Sequence, residues 1–330
     1  YRSLPHPTSR TPPHTDGFSA AAARRRFDHS FRTMKWFEPS AFDWAEGPPL
    51  SSFRSVATAS AAYVALVILS TQASRSLLPV SREKKNDVDV DVDRDDKYAN
   101  KKAKTTGLQW RPWFGSDLKT AQFAHNVVLV ASSAAMLGGV AVESARRISS
   151  EGAGAWPPFL LCEGVDGGAA ASGSLYYWSY VYYLSKYYEL LDTALQLARG
   201  KPPPHFVLHV YHHATVLIMA WAWVDTKQSL HFIGLAFNTA VHVVMYSYFL
   251  QRTITRKVPR WKSFVTLFQI IQFSFSLVAF LVTLFIVFVQ GHECSGMTSL
   301  YLNVVYNITL LHSFVGVFLL GRKKHSKDKK

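Results

Sequence analysis

Long apolar runs separated by short polar breaks dominate the chain from about residue 54 onward. A helix crosses a hydrocarbon core ~30 Å thick with about 20 mostly apolar residues. Such stretches lie near 54–79, 120–142, 172–196, 205–224, 229–250, 262–289 and 298–320. The pattern predicts an all-α membrane protein with seven transmembrane helices, because only closed backbone hydrogen bonding survives in lipid. The first stretch is most apolar from Val56 to Leu69, and the third carries Lys186, Glu189 and Asp192 near its end. Residues 1–53 hold Pro12, Pro13 and the run Arg24, Arg25 and Arg26 without a sustained period, and are expected to be a disordered extension. A membrane domain over 54–321 follows, interrupted by a long charged loop at 80–119, and a basic tail at 322–330 ends the chain.

Composition sharpens this picture through where the charges sit. The formal net charge of +14 would suit nucleic acid, anionic lipid or a polyanionic substrate. Alternating the spans puts Arg199 and Lys201, then Arg252, Arg256, Lys257, Arg260 and Lys262, then the tail from Arg322 to Lys330 on one side. The other side's short loops offer only Arg146, Arg147 and Lys227. The positive-inside rule makes the rich side cytosolic, with the C-terminus in the cytosol and the N-terminus lumenal. Basic residues in juxtamembrane loops point to lipid headgroups and soluble polyanions as partners, not to nucleic acid. The two cysteines, Cys162 and Cys294, then share the lumenal side, where an oxidising compartment would let them pair; two free thiols in loops that never meet is the alternative.

Polar groups at membrane depth are costly, about 2.5–3.5 kcal/mol for a charge on insertion scales, so clusters of them mark pathways or sites. Lys186, Glu189, Asp192 and Thr193 recur every three or four residues and share a helix face. His209, His212 and His213 stand at i, i+3 and i+4. Asn238, His242, Met245 and Tyr246 form a third face, and Thr266, Gln269 and Gln272 a fourth. Blander readings exist: an ion-pair ladder at the membrane surface for the first set, interhelical hydrogen bonding for the glutamines. His125, His231 and His312 are expected to be satisfied packing or interface histidines, not ligands. Clustered imidazoles could ligate metal, shuttle protons or attack a carbonyl. The H-x-x-H-H spacing suits di-iron desaturases, but those need three separate histidine boxes, and this chain has no second H-x-x-H-H and no H-E-x-x-H. A seven-span receptor or channel would leave the histidines without a task. A metal-free chamber of neutral imidazoles suits acyl transfer.

Taken in order, KYYELLDT at 186–193, HVYHH at 209–213, NTAVHVVMY at 238–246 and TLFQIIQF at 266–273 resemble the four motifs of the ELO family of very-long-chain fatty acid elongases. The resemblance runs over roughly 106–321, with His125-Asn126 and the aromatic run YYWSYVYYLS as weaker support. It implies six helices ringing a narrow acyl tunnel, the first helix peripheral. The reaction it implies condenses an acyl-CoA with malonyl-CoA, giving a 3-ketoacyl-CoA, CO2 and CoA without a bound cofactor. By position, His212 would accept the acyl group, with His213, His209 and His242 as acid-base or enolate-stabilising partners. Lys186, Glu189, Asp192, Asn238, Tyr246, Gln269 and Gln272 would support the chamber, and Arg252, Arg256, Lys257, Arg260 and Lys262 would meet the phosphates of CoA. The implied partners are the ketoacyl-CoA reductase, dehydratase and enoyl reductase of the elongation cycle, and the implied location is the endoplasmic reticulum membrane. The dilysine retrieval signal of many members is imperfect here, since Lys327 and Asp328 occupy its two places. The residues alone add one point: a cysteine nucleophile is excluded if both cysteines lie in lumenal loops.

Overall fold

The computed structural model describes residues 37–76, 118–152, 154–165, 170–199, 203 and 205–327. Most of the expected extension (1–36) and nearly all of the charged loop at 80–119 lie outside the described residues. The long helices are α1 (Phe53–Ser76), α2 (Lys119–Glu151), α5 (Phe206–Asp225), α6 (His231–Thr255), α7 (Lys262–Phe288) and α8 (Met297–Lys327). Each of these six is long and apolar enough to cross a membrane. The third expected span differs. It is a pair of helices, α3 (Ser174–Glu189) and α4 (Leu191–Ala198), that meet at Leu190. At 1.5 Å per residue α3 rises about 24 Å, short of a full crossing, and its polar residues gather at the break. No proline or glycine stands at the junction.

Contacts between helices close into a ring: α2 packs on α3, α3 on α5, α5 on α8, α8 on α7, α7 on α6 and α6 back on α2. The α2–α6 contact is the most extensive, and α1 rests against α5 outside that sequence of contacts. Close approach of α2 and α3 depends on Gly139, where a side chain would overlap the Trp178 indole.

Residues 37–52, expected within the disordered extension, are ordered. Two single-turn helices, Pro39–Ala41 and Trp44–Glu46, bury Phe42 and Trp44 against the tyrosine-rich α3. Phe42 stacks on Tyr180 with centroids 5.4 Å apart, and Trp44 Nε1 donates to Asp225 Oδ1 at 3.0 Å. The Tyr180 and Tyr183 hydroxyls donate to the carbonyls of Pro49 and Leu50, and Trp221 Nε1 donates to that of Ser51. Two buried aromatic rings and these bonds fix a segment whose sequence shows no period.

The loops at this end are also tied covalently. Cys162 and Cys294 form a disulfide, Cα–Cα 5.0 Å, joining the α2–α3 and α7–α8 connections. Beside it Ser295 N donates to the Glu163 carbonyl at 2.7 Å and Ser229 N to the Ser295 carbonyl at 3.0 Å. Arg147 Nη1 lies 3.0 and 2.9 Å from the two carboxyl oxygens of the buried Glu163 and sits over the Phe159 ring. Burial pushes the Glu163 carboxyl up, and Arg147 pulls it back only in part. The pair therefore serves placement more than net stability. Gly296, at φ +66°, approaches the Gln228 backbone so closely that any side chain would collide with it.

Candidate active site

At the other end of the ring the four polar faces converge. Lys186 and Glu189, one turn apart on α3, are 1% and 2% exposed, and Lys186 Nζ donates to Glu189 Oε1 at 2.8 Å. Lys186 also donates to Asn238 Oδ1 at 3.3 Å and lies over the Tyr182 ring at 4.0 Å. Tyr182 OH donates to the same Asn238 oxygen at 2.9 Å. On α6, one turn beyond Asn238, His242 Nδ1 stands 3.4 Å from Glu189 Oε1. A charge pair this deep survives only because its members are mutually compensated and hydrogen-bonded. Glu189 Oε2 nevertheless has no partner among the described residues.

A second network gathers around α4. Asp192 Oδ2 accepts from Tyr246 OH at 2.8 Å, and Asp192 Oδ1 lies 2.9 Å from His125 Nε2 of α2. Thr193 Oγ1 is shared between His209 Nε2 at 2.8 Å and Tyr63 OH at 2.9 Å. The α5 histidines follow: the His209 and His213 centroids are 4.3 Å apart, and those of His213 and His212 are 5.3 Å apart. His213 Nδ1 is buried without a partner among the described residues. The His212 ring makes no hydrogen bond among the described residues and faces a cavity.

That cavity lies between α5, α6, α7 and α8. It runs from His212, Asn238 and Gln272 to Trp223, Leu230 and Leu300 at the disulfide end, with a free volume of about 60 Å³. From His212 to Trp223 it follows about 16 Å of helix. Most of the residues along it are aliphatic or aromatic, so it is a narrow, mainly apolar slot with imidazole at its head.

A family model described as ELO, the GNS1/SUR4 family, matches residues 48–330. The chain belongs to the ELO (GNS1/SUR4) family of fatty acid elongases. The match reaches further back than the 106–321 of the motif resemblance and takes in α1. Fatty acid elongase A of Dictyostelium discoideum is 32% identical over 65% of this chain and 77% of its own length. Fatty acid elongase 2 of Trypanosoma brucei brucei is 34% identical over 46% and 58%, and very long chain fatty acid elongase 5 of Bos taurus 33% over 36% and 41%. Together with the long apolar helices, these matches make this ELO member a multi-pass membrane protein.

Not every expected site residue of the elongase lies in the buried networks. Gln272 lines the cavity, whereas Gln269 sits to one side with Nε2 3.7 Å from Met245 Sδ. Arg256, Lys257 and Arg260 are exposed on the α6–α7 connection, Lys262 is exposed at the first turn of α7, and Arg252 is half-buried in the last turns of α6. Three contributors escaped the sequence reading: Tyr182, Tyr306 and His125. Tyr182 sits in an aromatic run that gives no reason to prefer it. Tyr306 lines the cavity beside His212 from a helix without a motif. His125 is a lone histidine on an apolar helix, and its partner is far away in sequence.

Proposed function

We propose that this protein catalyses the decarboxylative condensation of a long-chain acyl-CoA with malonyl-CoA, releasing 3-ketoacyl-CoA, CO2 and CoA. The observation that carries the reading is the uncommitted His212 ring at the head of a narrow apolar slot, backed by buried imidazoles and a buried Lys–Glu pair.

In the first half-reaction a His212 ring nitrogen attacks the thioester carbonyl. The carbon–sulfur bond breaks, CoA leaves as thiolate and takes up a proton, and the acyl group stays on the imidazole with its tail directed along the slot, which must widen beyond about 60 Å³ to hold it. Malonyl-CoA then loses CO2, and the electron pair of the broken carbon–carbon bond becomes an enolate. That enolate attacks the acyl carbonyl, the new carbon–carbon bond forms, and His212 departs with the pair it had donated. His213, whose Nδ1 has no partner among the described residues, and His242, whose Nδ1 faces Glu189, stabilise the developing oxyanions, while Thr193 holds His209. Lys186 and His242 hold Glu189 in place, Asn238 holds Lys186, and Asp192, Tyr246 and Gln272 frame the chamber, with Gln269 supporting it through Met245. No bound cofactor enters this scheme.

The active-site end faces the cytosol in this reading, and Arg252, Arg256, Lys257, Arg260 and Lys262 there attract the phosphates of CoA. The C-terminus is then cytosolic, the disulfide end lumenal, and the membrane that of the endoplasmic reticulum. A 3-ketoacyl-CoA product calls for reductase, dehydratase and enoyl reductase partners. The test is purified protein in lipid nanodiscs, given labelled malonyl-CoA and a panel of acyl-CoAs. Labelled 3-ketoacyl-CoA with at least one chain length is expected, and absence of product across the whole panel overturns the proposal. With acyl-CoA alone, intact mass should increase by one acyl group in wild type and not in His212→Ala.

A further inference from the structure

The contact between His125 and Asp192 binds α2 to the helix break, and none of the four motifs includes it. His125 is 4% exposed, its Nε2 lies 2.9 Å from Asp192 Oδ1, and its ring packs at 5.0 Å from that of Tyr188. The other ring nitrogen, Nδ1, is buried and has no partner among the described residues. A hydrogen on Nε2, donated to the carboxylate, fits the 2.9 Å contact.

Asp192 lies in the first turn of α4, which has eight residues and is too short to hold itself in place. Its fixed points at that turn are Asp192, clamped between His125 and Tyr246, and Thr193. Thr193 in turn engages His209 Nε2, and His209 packs on His213 beside His212. An unbroken line of contacts therefore runs from α2 through the break to the reactive imidazoles.

We propose that His125 is a further positioning residue of the condensation: through Asp192 it sets the placement of α4, and through Thr193 it sets the orientation and tautomer of His209. The catalytic part of this rests on the elongase reading. The geometric part, the effect on His209, stands without it.

Three proteins decide the matter. His125→Phe keeps a ring in the same space and removes the donor, whereas His125→Gln carries an amide N–H that can reach the position of Nε2. Losing one hydrogen bond to a carboxylate is expected to lower kcat about tenfold in His125→Phe, with the acyl-CoA KM within about twofold of wild type. His125→Gln should recover most of that loss. Independently of activity, ¹⁵N-histidine spectra should report a changed His209 tautomer balance in His125→Phe and the wild-type pattern in His125→Gln. Wild-type kcat in His125→Phe, a glutamine variant no better than phenylalanine, or an unchanged His209 signal overturns the proposal. If wild type itself makes no condensation product, the elongase reading falls, and the His209 spectra still decide the positioning claim.

Discussion

The two ends of the helix ring handle buried polar groups in opposite ways. At the disulfide end Glu163 is gripped by Arg147 through both oxygens, Ser229 donates from its N–H and its hydroxyl to the Ser295 carbonyl, and Trp44 reaches Asp225. At the histidine end Glu189 Oε2, His213 Nδ1 and His125 Nδ1 have no partner among the described residues, and the His212 ring hydrogen-bonds to none of them. Unsatisfied groups at such depth reduce stability. Under the proposed reaction the open groups are the ones that substrate completes, whereas the closed ones hold the chain together. The contrast divides the molecule into a structural pole and a chemical pole.

The largest expected effect comes at the chemical pole. His212→Ala should reduce condensation by at least about a thousandfold, since a nucleophile has no substitute, while the melting temperature in detergent stays near wild type. Radiolabelled product and a thermal scan check the two halves; a large fall in melting temperature would blur the division. Lys186→Met tests whether the chemical pole also bears load. Leaving Glu189 buried without its cation should cost about 3–5 kcal/mol of stability as well as activity. Lys186→Met with Glu189→Leu should restore most of the stability and none of the turnover.

Mutations at the structural pole should do the reverse. Replacing Cys162 and Cys294 by serine should cost about 2–4 kcal/mol, read as lower thermal stability, with turnover per folded molecule close to wild type. The smallest effect is expected at the exposed basic connection. Arg256, Lys257 and Arg260 changed to alanine should raise the acyl-CoA KM about two- to fivefold at low ionic strength, and the difference should shrink as salt is added. A KM effect that ignores salt would detach these residues from phosphate recognition.

Much of this was legible in the sequence because the membrane makes polarity expensive. Lys186, Glu189, His209, His212, His213, Asn238 and His242 stand out against apolar surroundings, and helical spacing alone puts each set on one face. The break at Leu190 was not legible. The residues there, YYELLDT, favour continuous helix, and the interruption coincides with buried Lys186 and Glu189 on one side and Asp192 on the other. His125 shows the same limit: one histidine among alanines and valines carries no period, and its role depends on a carboxylate 67 positions away. Residues 37–52 failed for another reason: Phe42 and Trp44 are the aromatic rings that bury, and the prolines and serines flanking them give no period. In each case the missing information was a contact between segments far apart along the chain.

The closure of α2 onto α6 has a consequence for biogenesis. A nascent chain leaving the ribosome N-terminus first has α2, α3 and α5 in the bilayer before the last wall of the chamber exists. Lys186 and Glu189 must therefore wait without Asn238 and His242 until α6 is inserted. A translation product cut short before His231 would strand that ion pair in lipid, a natural degradation signal for membrane quality control.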